Sequence, residues 1–294
     1  MEKNKFLKLN PMLLHEIFEP FDSKDYIFEI KFDGVRALIF INNENIIIKS
    51  RNGIILNDTY PELLEIKNIS KGTCIFDGEI VLLENGVSSF SKLQERTRLK
   101  NKFRIEEMKE KNPVTFVCFD ILYKDKDLTN LPLIKRKKIL DKINDNNIFV
   151  KSKCFEEYGI KLFQKIKKEN LEGIIAKKRD SLYTYGIRTK EWIKIKNFKE
   201  ETFLICGYIK NKNNTLSIIL GEKDNNHINF VGKVLMGPKN KLYNKILIEK
   251  EINNYLEDYN DDDSILIKPK HTILINYMER TKNNMLRQPF IKYD

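Results

Sequence analysis

The stretch EIKFDGVRALIF, residues 29–40, places Glu29, Lys31, Asp33 and Arg36 within an otherwise apolar run. Branched and aromatic apolar residues predict a strand here. Burying an unpaired charge costs on the order of several kcal/mol, so a strand interior holds these side chains only if partners or a ligand compensate them. The stretch is therefore a candidate site. Taken alone, Lys-x-Asp-Gly is equally explained by a solvated edge strand in a lysine-rich chain.

The composition is that of a folded and highly charged chain. Its 294 residues suffice for one large domain or two ordinary ones, and 41% of them are hydrophobic. The net charge of +11 arises from 53 Lys and Arg against 42 Asp and Glu. Such a charge attracts polyanions, nucleic acid first among them. A lysine-rich proteome would explain the same charge, so the charge alone does not choose between the two.

Several protein classes are disfavoured by what the sequence contains. No apolar run approaches the roughly 18 to 20 residues that span a bilayer, and the N-terminus lacks the apolar core of a signal peptide. We therefore expect a cytoplasmic protein with no membrane partner. Cys74, Cys118, Cys154 and Cys206 are far apart, so neither a zinc site nor a disulfide framework is predicted.

Strand-like segments recur along the first two thirds of the chain. Helices are predicted over residues 133–143 and 155–169. Strands and helices alternate irregularly, which predicts an α+β fold of mixed sheets and not a doubly wound parallel one. The predicted strand segments are YIFEIKFDGVRALIF, NIIIKS, TCIFDGEIVLL, PVTFVCFDILY, LEGIIAKK and EWIKIKN.

The pattern changes after residue 197. Residues 202–235 have the character of strands and turns, residues 241–256 predict a helix, and ILIKPKHTILINYMER returns to strand. About five short strands with one helix fit a small barrel of the oligonucleotide-binding (OB) type. We therefore predict two domains, residues 1–198 and residues 199–294.

Charged motifs follow one another in a fixed order within the apolar segments. They are KFDG, SRNG (50–53), FDGEIV (76–81), FVCFDILY (116–123), LEGIIAKK (171–178) and WIKIK (192–196). This order resembles the covalent nucleotidyltransferase superfamily and, within it, the ATP-dependent DNA ligases. MLLHEIFEPFDSKDYIFEIKFDGVRAL and YTYGIRTKEWIKIKN are similar to the ligase domains of bacterial end-joining ligases. The resemblance covers nearly the whole chain.

The resemblance implies a fold and an activity. The fold would be a nucleotidyltransferase (ATP-grasp-like) domain of mixed, mainly antiparallel sheets with flanking helices, followed by an OB-fold β-barrel. The activity would be sealing of 5′-phosphate/3′-hydroxyl nicks in duplex DNA through lysyl-AMP and DNA-adenylate. ATP would donate AMP, with Mg²⁺ or Mn²⁺ as the metal. We expect a monomer that acts on nicked duplex DNA in replication, repair or recombination, in a bacterial, phage or plasmid setting.

The resemblance also assigns the reacting groups. Lys31 would be the nucleophile that attacks the α-phosphate of ATP and expels pyrophosphate. Lys194 and Lys196 project from one face of their strand, so both could point at that phosphate and neutralise developing charge. Asp33 would act late, near the 3′-hydroxyl or a metal.

Nucleotide contacts follow from the same resemblance. Glu29 would read the amino group of adenine and Phe119 would stack on its ring. Arg36 and Arg51 would contact the nucleotide and the nick phosphate, because bidentate geometry favours Arg over Lys. The further phosphate contacts would be Lys177 and Arg188.

Two acids complete the implied site. Glu79 would bind the ribose hydroxyls or a metal, and Glu172 would help to place Mg²⁺, since hard oxygen ligands shared with phosphates usually hold this ion. Both acids could instead be salt-bridge partners of the many lysines, and Phe119 could simply belong to a core. We expect Trp192 to be core and Arg136 to form a surface or structural pair.

The last residues fit the resemblance less closely. LRQP places Arg287 on the matching arginine of the ligase barrel. Family members continue with an Arg-x-Asp-Lys segment that orients pyrophosphate. Here Lys292 and Asp294, in the ending KYD, occupy the corresponding place only approximately.

Four alternatives stand beside an ATP-dependent DNA ligase. NAD-dependent ligases need a domain before the lysine and a four-cysteine zinc site, whereas thirty residues precede Lys31 and the cysteines are scattered. An mRNA guanylyltransferase would use GTP, and an RNA ligase would carry a different C-terminal domain. A non-catalytic nucleic-acid-binding protein fits the charge and the barrel, but it leaves Lys31 and the nearby acids without a purpose.

Overall fold

The chain divides into two compact units, Met1–Asn197 and Phe198–Asp294. The computed structural model describes residues 2–43, 45–225, 227–257 and 259–292. Each unit has hydrophobic cores of its own. Among the described residues, no helix combines the length and apolar character needed to span a bilayer.

The first unit combines strands and helices throughout. Its described strands are β1 (Leu13–Ile17), β2 (Ser23–Ile30), β3 (Val35–Asn42), β4 (Asn45–Ser50), β5 (Thr73–Val81), β6 (Leu83–Glu84), β7 (Val87–Ser88), β8 (Thr115–Lys124), β9 (Phe149–Lys151), β10 (Phe155–Glu157), β11 (Gly173–Lys178) and β12 (Arg188–Lys196). Its helices are α1 (Lys3–Leu7), the 3₁₀ helix η1 (Pro61–Ile69), α2 (Phe90–Thr97), α3 (Lys102–Lys111), α4 (Leu133–Leu140) and α5 (Gly159–Lys168).

Two five-stranded sheets build this unit. The first sheet has the order β1-β12-β11-β2-β10, and the second has the order β4-β3-β5-β8-β9. Most neighbouring strands are antiparallel, whereas β1 pairs parallel with β12 and β8 with β9. The prediction of an α+β fold with mixed, mainly antiparallel sheets is therefore confirmed.

The stretch EIKFDGVRALIF does not form one strand, so that part of the prediction was wrong. Strand β2 ends in the first sheet at Ile30, and β3 begins in the second sheet at Val35. The chain crosses between the sheets at residues 31–34. A side chain at Gly34 would place its Cβ 2.2 Å from the carbonyl oxygen of Ile80, so the crossing passes close against β5. The charges therefore lie at a crossing and not inside a strand.

Alternating side chains let the two sheets share one core. In β2, Ile27 joins the core between the sheets, while Phe28 points to the opposite face. In β3, Leu38 contributes to the shared core and Ile39 packs on the other side of the second sheet. Trp192 is fully buried in the shared core, as predicted.

All three predicted helices are shorter than the sequence pattern suggested, and the one predicted over residues 133–143 ends at Leu140. Over residues 155–169, Phe155–Glu157 form β10 and pair with β2, so α5 begins only at Gly159. Over residues 241–256 the helix is limited to Tyr243–Leu247. Pairing with an existing sheet satisfies the backbone of residues 155–157, which periodicity alone does not reveal.

The second unit is one β-sheet that packs around one main core. A six-stranded sheet has the order β16-β15-β14-β13-β17, with β18 also paired to β13. Phe203, Ile218 and Val231 lie in the core that the sheet encloses. This arrangement agrees with the predicted OB fold. Its elements are β13 (Lys199–Lys210), β14 (Leu216–Asp224), β15 (His227–Met236), α6 (Tyr243–Leu247), β16 (Leu256–Glu257), β17 (Ile265–Leu266) and β18 (Thr272–Tyr277).

A buried ion pair fixes α4 to the second sheet. Arg136 and Asp120 are both fully buried, and the guanidinium Nη2 lies 2.8 Å from Oδ2 of Asp120. The Nε group donates to Oδ1 at 3.0 Å, and Nη1 donates to the carbonyl oxygen of Ser181 at 3.0 Å. The expectation of a structural pair is right, but a surface position is not.

Removing the cation of this pair should destabilise the first unit. We expect Arg136→Met to lower the free energy of unfolding by about 3–5 kcal/mol, because the carboxylate of Asp120 would stay buried without its partner. Urea unfolding followed by circular dichroism measures this difference. Arg104→Met, at an exposed position of α3, is the matched control. Equal stability of the two variants would contradict the prediction.

Candidate active site

A cleft opens in the first unit where the two sheets meet. Its lining includes side chains from β2, β3, β5, β8 and β11, together with the crossing between β2 and β3. Six residues that the sequence predicts as site residues line this cleft: Glu29, Lys31, Arg36, Glu79, Phe119 and Lys177.

Strand register aligns the charged side chains of the first sheet. Ile175 of β11 lies opposite Glu29 of β2 on one side and opposite Lys194 of β12 on the other. Two residues further along, Lys177 lies opposite Trp192. Because paired residues point to the same face and the side-chain period is two, these rows face the cleft together.

A glycine lies between two of the lysines in the next row. Gly173 is paired with Lys196 in β12, and its carbonyl oxygen accepts from the backbone N–H of Lys31 at 2.9 Å. Its φ of +150° and a Cβ position 2.2 Å from the Ile195 carbonyl oxygen restrict this position to glycine. Because glycine has no side chain, only backbone lies between Lys31 and Lys196 at this position of the sheet.

The expected nucleophile lies among carboxylates. Nζ of Lys31 is 2.6 Å from Oε2 of Glu172. Nearby, burial raises the pKa of Glu79 from its usual 4.5 to about 8, and the charge of Glu172 adds to this effect against the opposing cations Lys31 and Arg36. Glu172 therefore supplies the negative charge paired with Lys31, whereas burial keeps Glu79 largely protonated near neutral pH.

Lys194 and Lys196 share one acceptor, as expected of residues on one face of a strand. Their Nζ atoms lie 2.7 Å and 3.5 Å from the two carboxylate oxygens of Glu16 on β1. Burial would raise the pKa of Glu16, but the two lysines outweigh it and the pKa is lowered. Sequence analysis missed Glu16, because the parallel pairing of β1 with β12 that places it there has no local signature.

A β-bulge presents Phe119 to the cleft. The register of β5 and β8 pairs Gly78 with Cys118 and Asp77 with Asp120, so the pairing passes over Phe119. A bulge of this kind redirects a side chain out of the regular alternation. The ring centroid of Phe119 is 4.2 Å from Nζ of Lys177 and 5.3 Å from Cζ of Arg36.

Two lysines hold Glu29, which is only 2% exposed. Its Oε1 is 2.5 Å from Nζ of Lys137, and its Oε2 is 3.1 Å from Nζ of Lys177. Burial would raise the pKa of Glu29, but the two ammonium groups outweigh it and the pKa is lowered. Sequence analysis missed Lys137, although its spacing from Leu133 and Leu140 of α4 fits the buried face of a helix.

Arg36 is held from behind by a buried carboxylate. Its Nε and Nη2 donate to Asp77 at 3.1 Å and 2.8 Å. Burial opposes the charge of Arg36, but Asp77 outweighs it and the pKa is raised. Asp77 also accepts a hydrogen bond from the hydroxyl of Tyr183 at 2.6 Å. The hydroxyl oxygen of Tyr183 in turn accepts a hydrogen bond from the backbone N–H of Met12. The N-terminal segment and Tyr183 thus fix the guanidinium.

Other predicted residues lie outside the lining of the cleft. Arg51 and Arg188 are exposed. Arg51 donates its backbone N–H to the carbonyl oxygen of Arg36 at 3.0 Å. The guanidinium of Arg188 donates to the carbonyl oxygen of Leu14. Asp33 is half-buried, with its N–H 3.4 Å from the hydroxyl of Ser88. Their roles, like the phosphate contact predicted for Lys177, stay predictions.

The residues predicted to complete the ligase barrel at the C-terminus are only partly described by the structure. Lys292 is exposed, whereas Asp294 lies outside the residues that the structure describes. Arg287 forms an ion pair with Glu279 at 2.7 Å in the second unit. The replacement of the pyrophosphate-orienting segment by KYD therefore stays a prediction.

The chemistry of Glu79 and Glu172 fits a shared divalent cation. Within residues 2–43, 45–225, 227–257 and 259–292, no group of three or more His, Cys, Asp or Glu side chains is placed to hold a metal. Mg²⁺ typically takes one or two carboxylates and completes its shell with phosphate and water oxygens. The raised pKa of Glu79 indicates that a further positive charge would be favourable there.

Comparison with protein families and curated proteins gives one consistent result. A family model described as the ATP dependent DNA ligase domain matches residues 10–196. The prophage-derived DNA ligase-like protein LigB of Bacillus subtilis is 29% identical over 285 residues, which cover 96% of this chain and 97% of that protein. The multifunctional non-homologous end joining protein LigD of Mycolicibacterium smegmatis is 28% identical over 95% of this chain, which spans 37% of its length.

Solved structures have the same fold. A mycobacterial DNA ligase D complexed with ATP and MES superposes with a TM-score of 0.61 at 24% identity, covering 97% of this chain and 94% of that chain. The ATP-dependent DNA ligase of bacteriophage T7, in complex with ATP, gives a TM-score of 0.52 at 19% identity, covering 98% and 99% of the two chains. The predicted fold of a nucleotidyltransferase domain followed by an OB fold is thereby confirmed.

Neutralising Glu79 should stabilise the protein more as the pH rises. Its folded pKa of about 8 exceeds the usual 4.5, so the folded state binds more protons between these values and loses stability as pH increases through them. We expect Glu79→Gln to raise the melting temperature at pH 8 by more than at pH 5. Thermal melts of both proteins across this range test it, with the exposed Glu110→Gln as control. A gain independent of pH would refute the argument.

Proposed function

Because the chain belongs to the ATP-dependent DNA ligase domain family, we propose that it seals nicks in duplex DNA through lysyl-AMP and DNA-adenylate. The observation that supports this most is the position of Lys31. Its side chain lines the cleft together with Glu29, Phe119 and Glu79. A nucleophile, an aromatic platform and acids within one cleft are what nucleotide transfer to a lysine requires.

In the first step, Nζ of Lys31 attacks the α-phosphorus of ATP. A nitrogen–phosphorus bond forms, and the bond from this phosphorus to the pyrophosphate oxygen breaks. The amine must be neutral to attack, so its ammonium form first loses a proton and leaves the ion pair with Glu172. Lys194 and Lys196 exchange the carboxylate of Glu16 for phosphate oxygens and stabilise the charge that develops.

Nucleotide recognition is assigned to other residues that line the same cleft. Phe119 stacks on adenine, and Glu29 accepts a hydrogen bond from its amino group. Arg36, held by Asp77, contacts the nucleotide. We assign further phosphate contacts to Arg51, Lys177 and Arg188 as their residue types suggest.

Glu79 and Glu172 would hold Mg²⁺ or Mn²⁺ together with oxygens of the substrate. When bound, the ion supplies charge neutralisation at the phosphates. Glu79 would also be available to the ribose hydroxyls. Asp33, at the crossing between β2 and β3, is assigned to the last step near the 3′-hydroxyl.

The remaining steps use the same residues. The 5′-phosphate at a nick attacks the phosphorus of lysyl-AMP and releases Lys31, which gives DNA-adenylate. The 3′-hydroxyl then attacks the 5′-phosphorus, so that a phosphodiester bond forms and AMP leaves. Positioning and charge neutralisation account for most of the catalysis in transfers of this type. We assign residues 1–198 to adenylation and residues 199–294 to the OB-fold domain.

The biological setting is proposed from the relatives. The names of the LigD proteins describe end joining, and that of LigB describes a prophage origin. We therefore propose a bacterial or phage setting and a role in DNA repair. The guanylyltransferase, RNA-ligase and non-catalytic alternatives remain outcomes that experiments can distinguish.

Covalent labelling tests the first step. We expect the protein to take up label from α-labelled ATP with a divalent cation, in a form that survives denaturing electrophoresis. Lys31→Ala should take up none, because the nucleophilic amine is removed. Lys24→Ala, an exposed lysine of the same strand β2, should label like the natural sequence. Label on Lys31→Ala, or preferential labelling by GTP, would argue against the mechanism.

Sealing assays test the substrate. We expect nicked duplex DNA to be joined in preference to nicked RNA, with release of AMP. Because binding to DNA neutralises phosphates and releases counterions, the affinity should fall linearly on a log–log plot against salt concentration. A protein that binds nicked DNA but never becomes labelled would support the non-catalytic alternative.

A further inference from the structure

Lys137 is a buried lysine that the catalytic steps do not use. It is 5% exposed, whereas Lys135 and Lys138 of the same helix are exposed. Helix α4 therefore directs this one lysine inward. Its Nζ ends 2.5 Å from Oε1 of Glu29. Lys137 is not among the residues that line the cleft, so it reaches Glu29 from behind.

The cluster around Glu29 carries more positive charge than the carboxylate needs. Lys177 already lies 3.1 Å from Oε2, from within the cleft and above the ring of Phe119. Asp120, which also acts on both lysines, is paired with Arg136. A second buried ammonium is costly to desolvate, and it is favourable here only because of the close carboxylate. A packing role alone would be served by an apolar side chain.

The two lysines determine which hydrogen bonds Glu29 can form with a purine base. A carboxylate with an ammonium group at each oxygen stays ionised, so it can accept hydrogen bonds and cannot donate them. It retains lone pairs beyond those used by the two lysines and by the thiol of Cys154, whose Sγ lies 3.7 Å from Oε1. The exocyclic amine of adenine donates to such a group, whereas the carbonyl oxygen at the same position of guanine is repelled by it. A neutral carboxyl group would donate to guanine and weaken the distinction.

We propose that Lys137 is a specificity-determining positioning residue, which holds Glu29 as an oriented, ionised acceptor and so makes the cleft select adenine over guanine. This inference rests on the proposed function, since it concerns which nucleotide is transferred to Lys31. Lys137 itself does not contact the nucleotide. Lys177 cannot replace it, because Lys177 binds only the other oxygen and faces the cleft.

The experiment compares adenylation and guanylation of Lys137→Met with those of the natural sequence. We expect the half-saturating ATP concentration to rise about 10- to 100-fold, because the hydrogen bond from the adenine amine to ionised Glu29 is lost. The preference for ATP over GTP should fall by a similar factor. The labelling rate at saturating ATP should change less. Lys137→Arg should restore most of the preference, and Lys138→Met on the exposed face of α4 should leave it intact.

A double-mutant cycle separates positioning from packing. If Lys137 acts through Glu29, the preference of Glu29→Gln should be unchanged by adding Lys137→Met. Additive losses would overturn the proposal, as would a Lys137→Met protein that discriminates like the natural sequence. Failure of the natural sequence to take label from ATP would instead refute the proposed function, so the two failures are distinguishable.

The natural sequence provides a test that does not depend on the folding of any variant. Purine riboside triphosphate lacks the exocyclic amine of ATP, so Glu29 would have no donor to accept from. We expect this analogue to be transferred to Lys31 at least about tenfold less efficiently than ATP. Equal use of the two nucleotides would overturn the proposal, whether or not Lys137→Met folds.

Discussion

The cleft depends on one passage of the chain, from the first sheet to the second at residues 31–34. At this point β2 has finished contributing to the shared core and β3 has not yet begun. Lys31 stays attached to the first sheet through its N–H bond to Gly173, while Gly34 passes close to β5 of the second sheet. Lys31 is therefore fixed where the two sheets diverge, in a cleft that side chains from both sheets line.

Charge compensation governs the rest of the site. Glu29 is paired with two lysines, Lys31 with Glu172, and Glu16 with Lys194 and Lys196. Each of these pairs joins residues far apart in the sequence, so the folded sheets bring together the charges that a single strand could not bury. These pairs compensate the cations, and in the function that we propose phosphate oxygens would replace the carboxylates. The energetic cost of placing charges here is thus linked to the function that we propose.

Much of the candidate site could be predicted because its motifs lie on strands. Glu29, Lys31, Arg36, Glu79, Phe119 and Lys177 were predicted as site residues, and all of them line one cleft. Glu16 and Lys137 were missed. Glu16 depends on a parallel pairing with β12, and Lys137 depends on which side of α4 packs against the sheet. Neither strand neighbours nor the buried side of a short charged helix can be read from residue types alone.

The sequence by itself determined the family resemblance, the α+β class and the order of the two units, because motif order, strand periodicity and composition are local properties. Only the tertiary structure decided that EIKFDGVRALIF spans two sheets, that a bulge turns Phe119 into the cleft, and that Lys137 lies behind Glu29. These features arise from pairing and packing between segments distant in the chain. Their free energies depend on partners that local sequence does not specify.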